Sequence, residues 1–371
     1  MTLILLLCIS VHACYIGSKV VVTLLALHLG AGPAVIGMLA ALYGVAPLLL
    51  GVHAGRLADT AGARPPMIAG AGLVAAAMLC GFLFQSVAGL IVVAVLLGLG
   101  FVYYNVAIQN FTGMHGAPEQ RARNFSWLSM SYSVSAFVGP VFAGFAIEYA
   151  GHGTAFLGFA LLATVPLVAL VANRGFVASA RSAPDSAPRS ARELLRNPPL
   201  LRVVVMSGLM VSAWELYLFY LPLHAHSIGL SASTIGIILG VYAAAALTVR
   251  FLLPIILRYT TTLRLTAVAM LLAAAVFLVL PWLRHVLLLV AASFSIGLLL
   301  GICQPVMMML AFERSPAGRT GEVTGLRLTA NNVARIVVPV IGGALGAAFG
   351  AAPVFWLNAL SLAAISWLAR R

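Results

Sequence analysis

Three strongly charged side chains, Lys19, Glu215 and Arg335, lie inside long apolar stretches of the sequence. Charged groups in apolar surroundings are costly to bury, and they commonly mark functional sites. A carboxylate placed there can take up a proton or bind a cation, because desolvation favours its neutral form. The sequence therefore predicts Glu215 as the residue that binds a proton or a cation, with a static ion pair to Lys19 or Arg335 as the alternative.

Aromatic and amide side chains accompany these charges and complete a predicted substrate cavity. Asn331 and Asn332 precede Arg335 by four and three residues, which places all three on one face of a helix. Hydrogen bonding between helices is the alternative explanation for this polar face, and Lys19 either attracts an anion or neutralises Glu215. A mostly apolar cavity with a few polar groups suits an amphipathic small molecule. The predicted cavity residues are Lys19, Tyr104, Asn105, Gln109, Trp214, Gln304, Asn331 and Arg335.

The composition indicates which elements must hold these side chains. Of the 371 residues, 63% are apolar and only 8% are charged, whereas about a quarter of the residues of a soluble domain are charged. So much apolar surface exceeds what one core can bury, and lipid is the solvent that remains. Since a helix crosses a bilayer with about 20 residues, we expect an all-α membrane protein with twelve transmembrane helices. The predicted spans are 3–29, 34–55, 65–86, 88–111, 124–149, 153–173, 200–226, 232–257, 263–283, 285–311, 323–349 and 351–369.

The positive charge of the chain is concentrated in alternate connections between the predicted spans. The formal net charge is +13, and every second connection is basic while the others carry almost no charge. Lys and Arg are enriched in this way on the cytoplasmic side of membrane proteins. The pattern predicts a multi-pass membrane protein with both termini in the cytoplasm, and it argues against nucleic acid as a partner. Twenty arginines against one lysine, with abundant Ala and Gly, indicate a bacterial source and hence the inner membrane.

A displacement of 199 residues brings glycines, prolines and amides of the chain into register. The matched pairs include Gly37 with Gly236, Tyr43 with Tyr242, Gly98 with Gly297, Asn105 with Gln304, Pro140 with Pro339, Gly144 with Gly343 and Gly151 with Gly350. The stretch 174–199 is rich in Pro, Ser and Arg, which suits a cytoplasmic linker. We therefore predict two pseudo-symmetric six-helix halves, 1–173 and 200–371. A parallel duplication with a binding site between the halves is typical of one large class of transporters.

The connection between the second and third predicted spans reads Gly55-Arg-Leu-Ala-Asp59-Thr60-Ala-Gly62-Ala-Arg64. It resembles the loop signature of the major facilitator superfamily, G-x-L-a-D-r-x-G-r-k, although Thr60 replaces one basic residue and only Arg64 remains of the final basic pair. The resemblance implies a gating role for Gly55, Asp59, Gly62 and Arg64, in which Asp59 joins a charge lock that closes the outward-facing state. A glycine at 55 would allow two helices to approach, and a glycine at 62 would permit a sharp reversal. The alternative is a tight loop with a structural role only.

The fifth predicted span carries a second motif of the same family. Ser135-Ala-Phe-Val-Gly139-Pro140-Val-Phe-Ala143-Gly144 resembles the G-x-x-x-G-P-x-x-G-G motif that is associated with antiporters, with Ser135 and Ala143 in place of two glycines. Small residues four apart allow close helix contact, and proline bends a helix. The alternative is a packing motif without bearing on direction, because Pro339, Gly342 and Gly343 repeat the pattern in the eleventh span.

The resemblance predicts a secondary transporter that works by alternating access. Its similarity to bacterial drug/proton antiporters favours proton-coupled efflux of amphipathic compounds. Lys19 and Arg335 lend weight to the alternative, uptake of an organic anion or metabolite by proton symport. The chain lacks the phosphate-binding pattern G-x-x-x-x-G-K-[ST], and Glu215 has no second acid near it for catalysis. We therefore expect no enzyme activity, cofactor or metal, and a monomer whose partners are the substrate, protons and the lipid bilayer.

Overall fold

Long runs of Ala, Leu and other good helix formers fold into helices throughout the part of the chain that the computed structural model describes. The described residues are 2–114, 121–173, 196–315 and 320–370. A helix satisfies its backbone hydrogen bonds within itself, which lipid surroundings demand. No strand occurs among these residues, so the expected all-α fold class is confirmed.

Twelve α-helices follow one another along the described chain. In the first part of the chain they are α1 (Thr2–His28), α2 (Pro33–Ala61), α3 (Arg64–Leu83) and α4 (Val87–Met114). The helical stretch Arg121–Ala172 is interrupted at Gly151, and we number its two arms α5 (121–150) and α6 (152–172). Then follow α7 (Pro198–Ser227), α8 (Ala232–Ile256), α9 (Thr262–Val279), α10 (Val286–Glu313), α11 (Thr320–Phe349) and α12 (Ala352–Arg370).

Eleven helical stretches of the described chain are long and apolar enough to cross a membrane. One of them, Asn124–Ala172, has 49 residues, which is about twice what one crossing needs. Because Gly151 divides it, this stretch supplies two crossings, α5 and α6, and the total agrees with the twelve predicted spans. Several helices run beyond their predicted spans, as α2 does by reaching Ala61. Most of the predicted linker 174–199 lies outside the described residues.

The chain divides into two compact units. Unit 1 consists of Met1–Gly32, Leu42–Asp185 and Ser231–Gly240, and unit 2 of Pro33–Ala41, Ser186–Leu230 and Val241–Arg371. The units follow the duplication except at two places, since the first turns of α2 belong to unit 2 and those of α8 to unit 1.

In unit 1, α1 packs against α5 and α6 at very short range. A Cβ atom at Gly139 of α5 would lie 2.6 Å from the carbonyl oxygen of Ala13 and 2.9 Å from the backbone nitrogen of Gly17. The thiol of Cys14 on α1 donates to the carbonyl oxygen of Phe159 on α6 at 3.3 Å. Gly139 of the fifth-span motif is therefore a contact point between helices.

In unit 2, α7 and α12 repeat part of this arrangement. The amide nitrogen of Asn358 donates to the carbonyl oxygen of Ala213 at 3.1 Å. Asn358 and Ala213 lie 199 residues after Phe159 and Cys14, which form the hydrogen bond between α1 and α6 of unit 1. The same pair of positions is hydrogen-bonded in both units with the donor on the opposite helix, so the duplication extends to the packing of the helices.

The first turns of α2 belong to unit 2 and those of α8 to unit 1, and each contacts a helix of its unit at a glycine. These two glycines are 199 residues apart. In unit 1, a Cβ atom at Gly236 of α8 would lie 2.6 Å from the carbonyl oxygen of Pro140 on α5 and 3.2 Å from the Cα of Gly144. In unit 2, a Cβ atom at Gly37 of α2 would lie 2.8 Å from the Cα of Gly343 on α11 and would also strike the carbonyl oxygen of Pro339. Pro140 and Gly144 of the antiporter-like motif thus have a packing role that Pro339 and Gly343 repeat.

Gly151 ends α5 with a backbone conformation that side chains disfavour, since its φ is +84°. We expect Gly151→Ala to lower the free energy of unfolding by about 1–2 kcal/mol, which is the usual cost of a left-handed conformation for a residue with a Cβ. No atom of the described residues lies within 4 Å of the added Cβ, so the expected effect comes from the backbone. Thermal unfolding in detergent measures it.

The matched control is Gly72→Ala in α3, where the added Cβ would make an ordinary contact of 3.8 Å with Leu167. This variant should unfold at the wild-type temperature or above it, because alanine favours a helix more than glycine does. Equal stability of the two variants would contradict the assigned backbone strain.

Candidate functional site

Glu215 and Arg335 form an ion pair between α7 and α11 in unit 2. The Nε atom of Arg335 lies 3.2 Å from Oε1 of Glu215, although the N–H is not aligned as a hydrogen bond. The Glu215 side chain is 4% exposed and that of Arg335 is 33% exposed. Of the two partners predicted for Glu215, the structure therefore shows Arg335. Protonation of Glu215 would remove the attraction that holds the guanidinium.

A second polar group lies on the same two helices, toward their N-termini. It consists of Ser207 on α7 with Arg327 and Asn331 on α11, and we call it the Arg327 cluster. Nη1 of Arg327 donates to Oγ of Ser207 at 3.4 Å, and the Asn331 amide lies 3.0 Å from the same oxygen. All three residues are buried. Asn331 and Arg335 both face α7, which confirms the shared helix face that their spacing predicts.

Aromatic rings fill the space between α7 and α8. The centre of the Trp214 ring lies 4.7 Å from the centre of the Tyr242 ring, and the centre of the Tyr217 ring lies 4.9 Å from the same point. The hydroxyl of Tyr217 donates to Oγ of Ser293 on α10 at 2.7 Å. Trp214, predicted to line the cavity, is thus part of a packed aromatic group beside Glu215.

Gln304 of α10 meets an arginine of α8 in unit 2. Nη2 of Arg250 donates to Oε1 of Gln304 at 2.6 Å. Sequence reasoning counted only three charges at membrane depth and overlooked both Arg250 and Arg327, although each lies inside a predicted span. A count of every Arg and Lys within the spans would have found them.

In unit 1, Lys19 of α1 is 2% exposed and its ammonium group faces two aromatic rings. Nζ lies 5.1 Å from the centre of the Tyr15 ring and 5.8 Å from that of Tyr43, distances at which a cation is attracted to the face of a ring. The hydroxyl of Tyr43 donates to Oγ of Ser18 at 3.1 Å. Lys19 is therefore a buried cation whose surroundings are aromatic.

The predicted residues of α4 also lie in unit 1. The hydroxyl of Tyr132 on α5 donates to Oδ1 of Asn105 at 2.7 Å and also interacts with Gln109. Among the described residues, the buried hydroxyl of Tyr104 has no hydrogen-bond partner. The centre of the His12 ring on α1 lies 4.7 Å from the centre of the Tyr132 ring. Sequence reasoning passed over His12 and Tyr132, although His12 is the one histidine that lies within the first predicted span away from its end.

The predicted gating residues of unit 1 do not all lie in the connection between helices: Gly55 and Asp59 lie in the last turns of α2, Gly62 follows that helix, and Arg64 begins α3. Gly62 has a φ of +82°, which is the conformation that the predicted reversal requires. Arg64 donates from Nε and Nη2 to the carbonyl oxygen of Leu170 at 3.0 and 2.8 Å, so it caps the last turn of α6. A Cβ at Gly55 would meet another atom only at 4.0 Å, so close approach does not require glycine there. The side chain of Asp59 lies outside the described part of the structure.

Comparisons with known proteins bear on the whole chain. A sequence profile described as "Major Facilitator Superfamily" matches residues 5–339, and no curated protein matches. The nucleoside transporter NupG has a similar structure, with a TM-score of 0.81, 13% sequence identity, and coverage of 99% of this chain and 98% of that chain.

Two further solved structures are similar. A POT family transporter in complex with 5-aminolevulinic acid has a TM-score of 0.83 at 14% identity, over 98% of this chain and 94% of its own. The peptide transporter POT in complex with sulfate has a TM-score of 0.81 at 16% identity, over 99% and 93%. At such identities the likeness shows a common fold.

Proposed function

The chain belongs to the major facilitator superfamily and is a multi-pass membrane transporter, and we propose that it exports small amphipathic molecules in exchange for protons. The observation that carries the proton coupling is the ion pair of Glu215 with Arg335 at 3.2 Å. A carboxylate so deeply buried is stable when it is either paired or protonated, because an isolated buried charge is costly. Each change of protonation therefore changes what holds α7 and α11 together.

The coupling proceeds through the residues of the pair. When Glu215 is ionised, it attracts Arg335 and the two helices are held at this level. When a proton binds to Glu215, the attraction is lost and the partly exposed guanidinium of Arg335 is released toward water or a ligand. Re-formation of the pair expels the proton. Alternating access of the substrate site to the two sides of the membrane would accompany these two states.

The direction of transport is proposed from the antiporter-like motif of α5. The packing of Pro140 and Gly144 against α8 supports a structural role for the same motif. A second candidate, symport of an organic anion with a proton, is favoured by the burial of the cation Lys19. We further propose a monomer in the bacterial inner membrane with its basic loops and both termini in the cytoplasm.

Transport into liposomes tests the proposal and separates the two candidates. Purified protein is reconstituted with a pH-sensitive dye in the lumen, the membrane potential is clamped, and amphipathic amines, neutral compounds and carboxylic acids are added outside in turn. Antiport predicts that the lumen becomes alkaline as a compound enters, whereas symport predicts that it becomes acidic. Entry of a compound without any change of pH would refute proton coupling.

A further inference from the structure

Arg327 is a buried cation whose charge is not balanced within the described part of the chain. The residue is 8% exposed, and within the described ranges its one hydrogen bond to a side chain runs from Nη1 to Oγ of Ser207 at 3.4 Å. Among the described residues, no carboxylate lies at ion-pair distance from it, and its Nε has no hydrogen-bond partner. Burial of an unpaired charge is strongly unfavourable, so the cost indicates an interaction that the described chain does not itself supply.

The same two helices show what a balanced arginine looks like. Arg335 lies eight residues after Arg327 on α11, and Glu215 lies eight residues after Ser207 on α7. Eight residues of helix rise about 12 Å, so α7 and α11 carry two similar levels of polar residues. At one level an acid faces the arginine, and at the other a serine does. Among the described residues, the level of Arg327 and Ser207 therefore has a cation and a hydroxyl and no anion.

Within the Arg327 cluster, the hydroxyl group of Ser207 can donate a hydrogen bond to a ligand. Turned with its nitrogen inward, the Asn331 amide donates to Oγ of Ser207 at 3.0 Å and to the carbonyl oxygen of Arg327 at 3.2 Å. Oγ of Ser207 then accepts from both Asn331 and Arg327, and the hydroxyl hydrogen of Ser207 remains available. A planar guanidinium beside a hydroxyl donor matches the oxygen atoms of a carboxylate or phosphate.

We propose that Arg327 and Ser207 bind the carboxylate or phosphate group of an anionic small molecule that the protein transports. The proposal rests on the transport function and narrows it to substrates that bear an acidic group. It holds for either direction of transport, since an amphipathic anion can be exported or taken up. The shared chemistry of the ligand is an oxyanion, and the headgroup of an anionic lipid is the other source of one.

Equilibrium binding tests the site without any gradient, so it can fail independently of proton coupling. The full chain in lipid-free dodecylmaltoside is titrated with benzoate, with phenyl phosphate, and with benzylamine and benzyl alcohol as cationic and neutral analogues. Benzoate or phenyl phosphate should raise the unfolding temperature, because a ligand of the folded state stabilises it. The two analogues should not raise it. Arg327→Gln should weaken the anion's affinity about tenfold or more, because a charge-assisted hydrogen bond is lost.

Three control measurements test whether the effect on anion binding comes from the guanidinium of Arg327. Arg284→Gln removes the same charge from an exposed position and should leave anion binding unchanged. Arg327→Gln without ligand should unfold at the wild-type temperature or above it, because it removes an unbalanced buried charge. Arg327→Lys keeps the charge without the planar fork, and it should bind the anion with intermediate affinity.

Three outcomes would overturn the proposal. The first is that neither anion binds, and the second is that the anions bind equally well to Arg327→Gln. The third is that phosphatidylglycerol, added to the detergent, stabilises the protein only when Arg327 is present while benzoate and phenyl phosphate have no effect, which would assign the site to a lipid headgroup.

Discussion

Replacing Glu215 by Gln is expected to reduce transport driven by a pH gradient to the background of protein-free liposomes. Gln has nearly the shape of Glu but cannot exchange a proton, so the change of charge that is proposed to drive coupling disappears. Exchange of labelled for unlabelled substrate without a gradient should persist, because it requires no proton transfer. Uptake of labelled substrate into liposomes measures both activities.

Glu313→Gln is the matched control for this prediction. Glu313 ends α10 at an exposed position, and the same chemical change there should leave gradient-driven transport intact. Undiminished gradient-driven transport by Glu215→Gln would refute the proposed role of Glu215 in proton coupling. A static ion pair with Arg335 would then explain why an acid is buried at this position.

The stability of single and double variants tests whether the pair is intact in the folded protein. Arg335→Gln removes the ion-pair partner of Glu215, which is the more deeply buried of the two side chains, so it should destabilise the protein more than Glu215→Gln does. We expect a loss of about 3 kcal/mol, the lower end for a broken buried pair, because the Arg335 side chain is 33% exposed. The double variant should recover much of this loss, and additive losses would show that the pair is not formed.

Replacing Gly37 by Ala is expected to separate the first turns of α2 from α11 and to destabilise unit 2. The added Cβ would meet the Cα of Gly343 at 2.8 Å and would strike the carbonyl oxygen of Pro339. Backbone atoms cannot turn aside as a flexible side chain can, so the helices must move apart. We expect a loss of about 1–3 kcal/mol, typical of an overpacked contact, and a larger loss for Gly37→Val. Thermal unfolding and transport are both measured.

Gly51→Ala controls for the change of residue type within the same helix. In the part of the chain that the structure describes, nothing lies within 4 Å of a Cβ at Gly51, so this variant should gain up to about 1 kcal/mol from helix propensity. The repeat-related variant Gly236→Ala should resemble Gly37→Ala, because its Cβ would lie 2.6 Å from the carbonyl oxygen of Pro140. Equal behaviour of the Gly37 and Gly51 variants would contradict the close packing of α2 on α11.

The relation between sequence and structure differs from one feature to another. The apolar runs predicted the helices well, because a backbone in lipid has few alternatives to a helix. The displacement of 199 residues paired Gly37 with Gly236 and Gly144 with Gly343, and the members of each pair make similar contacts. It did not reveal that Gly37 packs on Gly343 and Gly236 on Gly144, because a repeat relates positions within a fold and does not say which surfaces meet.

Some features of the candidate site were likewise predictable from the sequence, and others depend on how the helices pack. The sequence alone determined that Glu215 and Arg335 lie in apolar helices and that Asn331 shares a helix face with Arg335, since both follow from composition and the helical period. Only the tertiary structure decided that Glu215 pairs with Arg335 and that Arg327 faces a serine. Helices that are apolar around most of their circumference carry little signal of which face is buried. Their rotation and crossing, which are set by packing, decide which side chains meet.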